Sequence, residues 1–312
     1  MSEHSYPEAP STVLPKTKAF ARRYGADLAI PSCKGSGVGN ALVYTRLVED
    51  WARSRGHAAT IITEPLAPKV GVVENEDPFT LWMHNPYVKR IINAQDIDPA
   101  GFLEVDIERK TLIQVNHLIE NICFAYGLRP RNLRPSLYLS TAEMQWAIKE
   151  TSHLRRPLIC LHPGGTTASK PGAPWHDTYW HVLVDCLKDT AGFFQIGRPE
   201  FGDRDIGLCN PGRTLRDAMA LVWSADIFIG FDSAPMSIAT AFEKPVIALF
   251  DMRQKFAAEL AYRETYVPSV MLRWAYPQNR NIALMDDDDG RAAFSFVIDA
   301  IRSHISALAC HV

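Results

Sequence analysis

Short apolar runs alternate with amphipathic stretches along most of the chain. Runs of strand length fall at residues 27–31, 58–63, 88–92, 157–161, 192–196, 227–231 and 246–250. Helical patterns fall at residues 41–55, 111–126, 141–153, 177–189, 214–224 and 291–308. Apolar runs that alternate with helical patterns are typical of parallel sheets covered by helices on both faces. The pattern therefore predicts an α/β protein with parallel sheets.

A proline-rich stretch interrupts this alternation near the middle of the chain. Residues 128–140 read LRPRNLRPSLYLS, which favours an extended crossing. The alternation then restarts, so we predict two similar domains, at residues 1–137 and 138–312. The last helix could still return to pack on the first domain. Ligands of open parallel sheets bind beyond the carboxyl ends of the strands, which would here face a central cleft.

Composition excludes several classes of function. The 312 residues are 47% hydrophobic, and their formal net charge of −2 gives no reason to expect a general nucleic-acid-binding patch. The six cysteines include no CxxC pair, which indicates reduced thiols in the cytoplasm. No apolar run approaches the roughly 18 residues that span a membrane, and no signal-peptide pattern is present. We expect a soluble cytoplasmic protein.

The clearest candidate site lies in residues 225–251, which read ADIFIGFDSAPMSIATAFEKPVIALFD. This segment predicts a strand, an Asp-Ser turn, a short helix that opens at Pro235, and a second buried strand. The amides from Ser233 to Met236 would then point outward at the positive end of the helix dipole, where an anion can bind. An ordinary turn of an α/β protein is the alternative.

The first glycine-rich loop, at residues 32–44, reads SCKGSGVGNALVY. Gly35, Gly37 and Gly39 allow close backbone approach to a ligand, but the spacing is neither that of a P-loop nor G-x-G-x-x-G. Glu64 stands at the end of the second predicted strand, where a ribose-binding acid would lie. An NAD(P)-dependent oxidoreductase therefore remains an alternative.

A second loop, at residues 162–175, reads HPGGTTASKPGAPW. Thr166 and Thr167 supply hydroxyls and Lys170 supplies an ammonium, which together with backbone amides suit a diphosphate. A solvated surface loop is the alternative. The loop after the strand at 192–196 should face the same cleft, so we expect Arg198 to contact a nucleotide bound there.

No metal site is predicted. His162 could join Cys160 and His153 as zinc ligands, but the sequence shows no second half-site. The acidic run at residues 286–289 lacks the alternating spacing of a calcium loop and more simply favours the start of the last helix.

These loops, in their order and spacing, resemble glycosyltransferase family 9, the ADP-heptose:lipopolysaccharide heptosyltransferases and their relatives. The resemblance is strongest over residues 158–187 and 212–250, looser over residues 35–56, 84–92 and 117–128, and covers most of the chain from 27 to 250. It implies a GT-B fold, in which two Rossmann-like domains face a central cleft. The C-terminal domain would hold a nucleotide-sugar donor and the N-terminal domain an acceptor.

The resemblance also implies roles for individual residues. The phosphate-binding threonine and lysine of the family correspond to Thr166 or Thr167 and to Lys170, and the aspartate of its D-S/T-G-x-x-H motif corresponds to Asp232. The expected donor-binding set is Thr166, Thr167, Lys170, Gly197, Arg198, Asp232, Ser233, Ala234 and Ser237. The expected acceptor loop contains Gly37, Gly39 and Asn40.

Three features depart from the family pattern. The glycine and histidine of the D-S/T-G-x-x-H motif are Ala234 and Ser237. The aspartate of its N-terminal G-D motif, thought to be the general base, is Asn40, and an amide cannot accept a proton at neutral pH. The chain is also short between residues 92 and 111, where relatives carry acceptor-binding structure, so the acceptor can differ from a lipopolysaccharide core.

We therefore expect an inverting, metal-independent glycosyltransferase that needs no cofactor. It would move a heptose or other hexose-like sugar from a nucleoside diphosphate, ADP before others, to a hydroxyl acceptor such as a glycan or lipid-linked glycan. Catalytic candidates are Asn40, His84 and Lys170; His84 or Asp77 would accept the proton that Asn40 cannot, although His84 also suits a hydrogen-bonded loop position. A GT-B relative that binds a nucleotide sugar without turnover is the other alternative.

Overall fold

The structure is a computed structural model. It describes residues 14–31, 38–66, 77–110, 116–164, 175, 177–197, 205–251, 270–284 and 291–309. The proposed residues Gly37, Thr166, Thr167, Lys170 and Arg198 lie outside these ranges.

The first half of the chain forms a three-stranded parallel sheet in the order β1-β2-β3. Its strands are β1 (Leu28–Ala29), β2 (Ala59–Thr63) and β3 (Val88–Asn93). Its helices are α1 (Pro15–Arg23), α2 (Val38–Arg55), α3 (Ala94–Ile97), α4 (Pro99–Lys110) and α5 (Leu118–Ala125), with a 3₁₀ turn at Thr80–Trp82.

The second half forms a five-stranded parallel sheet in the order β5-β4-β6-β7-β8. Its strands are β4 (Leu158–His162), β5 (Gly192–Gln195), β6 (Ile227–Phe231), β7 (Val246–Asp251) and β8 (Arg280–Leu284). Its helices are α6 (Thr141–Thr151), α7 (Asp177–Leu187), α8 (Leu215–Ser224), α9 (Ala234–Ala241), α10 (Val270–Trp274) and α11 (Arg291–Ala309). Every residue of β4 and β6 is buried, as expected for parallel strands covered on both faces.

The largest apolar core runs through both halves. It joins Leu42 and Leu47 of α2 to Leu221 of α8 and Met236 of α9. A second core lies on the other face of the five-stranded sheet, where Val297 and other buried residues of α11 pack with α7 and β8. The described part of the last helix therefore packs on the second sheet rather than returning to the first.

The proline-rich crossing is fixed against α2. The Arg46 guanidinium donates from Nε to the Arg134 carbonyl at 3.0 Å, and the Ser136 amide donates to Thr45 Oγ1 at 2.8 Å. Burial would raise the pKa of the Glu49 carboxyl, but hydrogen bonding from Ser136 and the charge of Arg46 outweigh burial and lower that pKa. The buried charges of Arg46 and Glu49 thus stabilise the first half at the point where the chain crosses to the second half.

The predicted fold class is confirmed: the molecule is α/β and both of its sheets are parallel. The structure adds α1 before the first predicted strand, and α3 and α4 in the short stretch between residues 92 and 111, where the sequence predicted no helix. These helices were missed because α1 and α4 stabilise each other through distant contacts, such as Phe20 with Phe102, whose ring centroids are 5.6 Å apart. The proposed domain limits at residues 137 and 138 stay a prediction.

Within the described parts of the chain, every helix is too short or too polar to cross a lipid bilayer.

Candidate functional site

The two halves of the molecule meet where α2 and α9 begin. A Cβ atom placed on Gly39, in the first turn of α2, would lie 3.7 Å from the Ala234 backbone nitrogen and 3.8 Å from its Cα. Neither helix has an acidic residue in its first turn. Two positive helix ends therefore lie side by side, and this junction of α2 with α9 favours an anion.

The start of α9 is not capped by its own N-cap side chain. The Ser233 hydroxyl lies 3.0 Å from the Phe231 carbonyl oxygen and 3.1 Å from His162 Nδ1, and it makes no hydrogen bond to an amide of α9. Among the described residues, none accepts a hydrogen bond from the amide of Ala234 or of Met236. Met236 is fully buried and Ala234 is half-buried, so of these two amides only that of Ala234 is available to a ligand.

His162 is a part of this site that sequence reasoning considered only as a zinc ligand. It ends β4 and pairs with Gly230 of β6, where a Cβ atom would come within 2.9 Å of the His162 Cβ. The glycine therefore makes room for the ring beside Ser233. Adjacent parallel strands end at the same edge of a sheet. This rule would have predicted from the sequence that His162, at the end of one strand, lies close to the Asp-Ser turn at the end of the next.

The zinc alternative finds no support in the parts of the chain that the structure describes. They contain no cluster of three potential metal ligands. Cys160 is fully buried, which raises the pKa of its thiol well above the ordinary value, and His153 is exposed beyond α6.

Asp232 lies at the carboxyl end of β6, directly before Ser233. Burial raises the pKa of its carboxyl to about 7, against the opposing charge of Arg273. No described residue donates a hydrogen bond to this carboxyl. Near neutral pH it therefore exists in both the neutral and the ionised form beside the amides of α9.

Ser237 lies behind the junction. It is 1% exposed, and its hydroxyl accepts a hydrogen bond from the Tyr276 hydroxyl at 2.9 Å. One turn later, Asn279 donates from Nδ2 to Thr240 Oγ1 at 2.8 Å. Ser237 thus holds α9 from its buried side, and the donor contact expected of it stays a prediction.

The acceptor-loop and base candidates lie in different surroundings. Asn40 is half-buried in the first turn of α2. His84 has a φ of 59° and an exposed ring, with Nε2 3.6 Å from Glu143 Oε2. Asp77 is exposed, and its Oδ1 accepts the Phe79 amide at 2.7 Å. The distance from His84 to Glu143 is that of an ion pair and is too long for a hydrogen bond, so both interpretations of this histidine stay predictions.

Glu143 belongs to a polar contact that joins the two halves. Arg216 of α8 donates to both of its carboxylate oxygens, at 2.6 and 2.7 Å, and to the Thr80 carbonyl of the first half at 3.3 Å. Burial would raise the pKa of Glu143, but the hydrogen bonds from Arg216 and Ser140 outweigh it and lower the pKa to about 2. This carboxylate stays charged at every pH near neutral.

Gly197 follows β5 with a φ of 136°, a conformation that favours glycine. Its carbonyl accepts a hydrogen bond from Asn210 Nδ2 at 2.8 Å. The position is consistent with a tight turn after the strand, and its proposed donor contact stays a prediction.

A small cleft opens beside the first turn of α2, at the carboxyl ends of β1 and β2. Ala41 and Thr63 form part of its wall, and Glu64 lies in it. The remaining walls are apolar and come from Ile30, Pro31, Leu66, Pro78, Leu81 and Trp82. The Gln95 side-chain amide donates a hydrogen bond to Glu64 Oε1. We refer to this feature as the Glu64 cleft.

Comparison with known proteins supports the resemblance noted in the sequence. Residues 202–281, which include α8, β6, α9 and β7, match the sequence model of glycosyltransferase family 9 (heptosyltransferase). A search of curated proteins gave no match.

Solved structures share the fold over nearly the whole chain. The glycosyl transferase family 9 protein from Veillonella parvula DSM 2008 has a TM-score of 0.63 at 13% identity, over 89% of this chain and 96% of that one. ADP-heptose lps heptosyltransferase II of E. coli has a TM-score of 0.60 at 14% identity, over 90% and 99%. The E. coli heptosyltransferase WaaC with ADP has a TM-score of 0.53 at 12% identity, over 88% and 99%.

At these identities the structures establish the fold, and the sequence model shows a family resemblance over one segment. Residues 202–281 of the chain therefore match glycosyltransferase family 9 (heptosyltransferase), and the α/β fold of the chain matches that of GT-B glycosyltransferases.

Proposed function

We propose that the protein transfers a sugar from a nucleoside diphosphate donor to a hydroxyl acceptor, with inversion at the anomeric carbon. The observation that carries this proposal is the uncapped start of α9 against the start of α2. Two helix dipoles and the free amide of Ala234 converge there without a neutralising acid in either first turn.

A diphosphate is the ligand class that this junction suits best. Backbone amides bind phosphate oxygens, and aligned helix dipoles add favourable electrostatic energy. ADP is the nucleotide in one structure of similar fold, which supports ADP as the leaving group here. A heptose or another hexose-like sugar is the donor sugar that the family match favours.

The proposed chemistry is displacement at the anomeric carbon. The acceptor oxygen forms the new bond while the bond to the diphosphate oxygen breaks, and its electron pair leaves with the nucleoside diphosphate. The Ala234 amide stabilises the negative charge that grows on this leaving group, with Lys170, Thr166 and Thr167 as further proposed donors. Transfer would then proceed without a metal ion, so activity should survive chelation by EDTA.

Asn40 favours a second candidate, a protein that binds a nucleotide sugar without turnover. An amide at this position cannot act as a base. Incubation with ADP-sugars separates the two functions, because only the first releases ADP. The oxidoreductase alternative predicts preferential binding of NAD, which titration against ADP and UDP tests directly.

The amide donor of α9 can be tested directly. Ala234→Pro removes a single N–H group at the first helical position, where proline is favoured. The residue before a proline must be extended, and Ser233 already is, with φ −163° and ψ 173°. We expect the affinity for ADP, measured by calorimetry, to fall roughly 10- to 100-fold, because a hydrogen bond to a charged group contributes about 1.5–3 kcal/mol.

Thr141→Pro is the matched control. It places a proline at the first position of α6, which begins away from the junction. Thr141 is exposed and follows the extended Ser140, so a proline fits there as well. This variant should bind ADP as the wild type does. Equal ADP affinity of the Ala234→Pro variant and the wild type would contradict the proposed donor site.

A further inference from the structure

We propose that His162 is a positioning residue of the donor site: it holds the Ser233 hydroxyl off the first turn of α9, so that this turn stays open to a diphosphate. This inference rests on the proposed glycosyl transfer and concerns the same junction of α2 with α9. The hydrogen bonds of Ser233, the unfilled capping position of α9 and the packing around the His162 ring support it.

The hydrogen bonds of Ser233 determine which atom donates. Its Oγ lies 3.0 Å from the Phe231 carbonyl oxygen and 3.1 Å from His162 Nδ1. A carbonyl oxygen can only accept, so the single hydrogen of the hydroxyl is committed to Phe231. His162 therefore donates from Nδ1 to Oγ. The hydroxyl is thus held by two hydrogen bonds, and both partners belong to the strands β6 and β4 rather than to α9.

The first turn of α9 contains an amide that the Ser233 hydroxyl could cap. Ser233 is the N-cap residue, and Pro235 at the second helical position has no N–H group, so Met236 supplies the amide that a capping hydroxyl would accept. This amide has no acceptor among the described residues, and Met236 is buried. A buried donor without an acceptor costs stability, which rotation of the hydroxyl toward it would recover. The bond to His162 prevents that rotation.

Other N-cap residues show what such a side chain ordinarily does. Within the described chain, the polar N-cap side chains that accept an amide of their own helix are those of Asn93, His117, Ser140 and Thr214. Ser233 makes no such bond and is instead bonded to a histidine of the neighbouring strand. The open start of α9 therefore goes together with the contact to His162.

The sheet makes room for the His162 ring beside Ser233. His162 is buried at the end of β4 and pairs with Gly230 of β6. A Cβ atom at residue 230 would come within 2.9 Å of the His162 Cβ and 3.0 Å of Phe228 Cζ. A larger residue there would push the histidine away. The packing of β4 against β6 thus places Nδ1 where it reaches the Ser233 hydroxyl.

The position of this hydroxyl decides whether α9 can bind an anion. A capping oxygen lies over the first turn of its helix, in the space where an anion would otherwise meet the helix end. The Ala234 amide belongs to that turn and faces the start of α2 near Gly39. While His162 holds the hydroxyl aside, a phosphate oxygen can approach this amide and the positive end of the helix dipole.

A matched pair of variants tests the hydrogen bond from His162. His162→Asn keeps a donor nitrogen near the position of Nδ1, whereas His162→Gln is also an amide but places its nitrogen near the position of Nε2. By calorimetry, the Asn variant should bind ADP within about twofold of the wild type. The Gln variant should bind ADP about 5- to 30-fold more weakly, because the released hydroxyl then acts as an ordinary N-cap. His153→Gln, at an exposed histidine beyond α6, is the control and should bind ADP as the wild type does.

Removal of the hydroxyl tests whether His162 acts through Ser233. Ser233→Ala, added to the Gln variant, should restore the ADP affinity to within about twofold of the Ser233→Ala single variant, because no hydroxyl remains to close the turn. A purely structural role of His162 would not give this rescue. His162→Phe fills the volume of the ring without a polar atom and should show the same loss and the same rescue. It takes the place of the Gln variant if that variant does not fold.

The outcomes separate this inference from the proposed function. Equal ADP affinities of the Asn and Gln variants would overturn the role of His162 and leave glycosyl transfer intact, as would a loss that Ser233→Ala does not reverse. Pyrophosphate should rank the variants as ADP does, because the hydroxyl competes with the phosphate; an effect confined to ADP would also overturn the inference. Failure of the wild type to bind both ADP and pyrophosphate would overturn the donor site itself, and this inference with it.

Discussion

The helices α8 and α9 follow each other along the chain, and both begin after a hydroxyl residue. Thr214 accepts the Asp217 amide at 3.0 Å, and the Asp217 carboxylate accepts the Thr214 amide at 2.9 Å, so α8 is closed by a capping box. Ser233 directs its hydroxyl away from α9 instead. The same residue type thus closes one helix and leaves the other open.

The residue three positions later decides this difference. It is Asp217 in α8 and Met236 in α9, so only α8 has a carboxylate that can return to its N-cap. A closed helix end satisfies its own donors, whereas an open end keeps them for a ligand. Stability at the open end comes from the buried side, through Tyr276 and Asn279. This comparison predicts where substitutions act on folding and where they act on binding.

The largest effect is expected on the closed side, at Arg216. Arg216→Ala leaves Glu143 partly buried without its main partner, and removal of one member of a buried ion pair costs about 3–5 kcal/mol. Chemical denaturation should show a loss of unfolding free energy of this size. Arg213→Ala, which removes an exposed arginine in the loop directly before α8, should cost less than about 0.5 kcal/mol. Equal effects of the two variants would contradict the role of Arg216 in joining the halves.

Asp232 at the open end should show the next largest effect, with a defined pH dependence. Its pKa is raised to about 7 from an ordinary value of 3.8, so the folded state favours the neutral form. Its unfavourable contribution to stability is therefore absent below pH 3.8, grows as pH rises, and is complete above pH 7. Asp232→Asn should stabilise the protein above pH 7 by about 2–4 kcal/mol and have little effect near pH 4.

Thermal or chemical unfolding between pH 4 and 8 measures this difference. Asp185→Asn serves as the control, since Asp185 is exposed and pairs with Lys188 on the surface. A stability gain for Asp232→Asn that does not change with pH would contradict the raised pKa. In the wild type, the affinity for ADP should also fall as pH rises through 7, because ionised Asp232 repels the diphosphate.

Local features next to both helix ends were predictable from the sequence. The strand at 227–231 was predicted and is observed as Ile227–Phe231, because a fully buried parallel strand shows as a continuous apolar run. The helical pattern at 214–224 was predicted as well and is observed as Leu215–Ser224, with a capping box between two residues that are only three positions apart. Local physics determines both features.

Contacts between distant residues were not predictable in this way. The sequence placed Glu64 at the end of a strand, but its contact with Gln95 joins residues 31 positions apart across β2 and β3. The bond of Ser237 with Tyr276 spans 39 positions. Nothing in either local pattern shows which carboxylate faces a cleft or which serine faces a tyrosine, since both depend on how the elements pack together.

The cap itself should contribute a smaller amount of stability. Thr214→Ala removes the hydroxyl that accepts the Asp217 amide, and loss of an N-cap costs about 0.5–2 kcal/mol. Denaturation should detect this loss, whereas the ADP affinity should not change because the closed helix binds no ligand. Thr141→Ala, at an exposed position beside the Ser140 cap of α6, is the control and should change stability little. An equal loss in both variants would argue against the capping box.

The smallest effect on stability, and the most specific one on binding, is expected at Gly39. An added methyl group would lie 3.7 Å from the Ala234 nitrogen, an ordinary van der Waals contact, so Gly39→Ala fits without strain. Because alanine favours helix over glycine, unfolding free energy should stay equal or rise by up to about 1 kcal/mol. The same methyl group would cover the Ala234 amide, so calorimetry should show weaker ADP binding. A variant that is destabilised, or one that binds ADP more tightly, would show that the anion does not bind between α2 and α9.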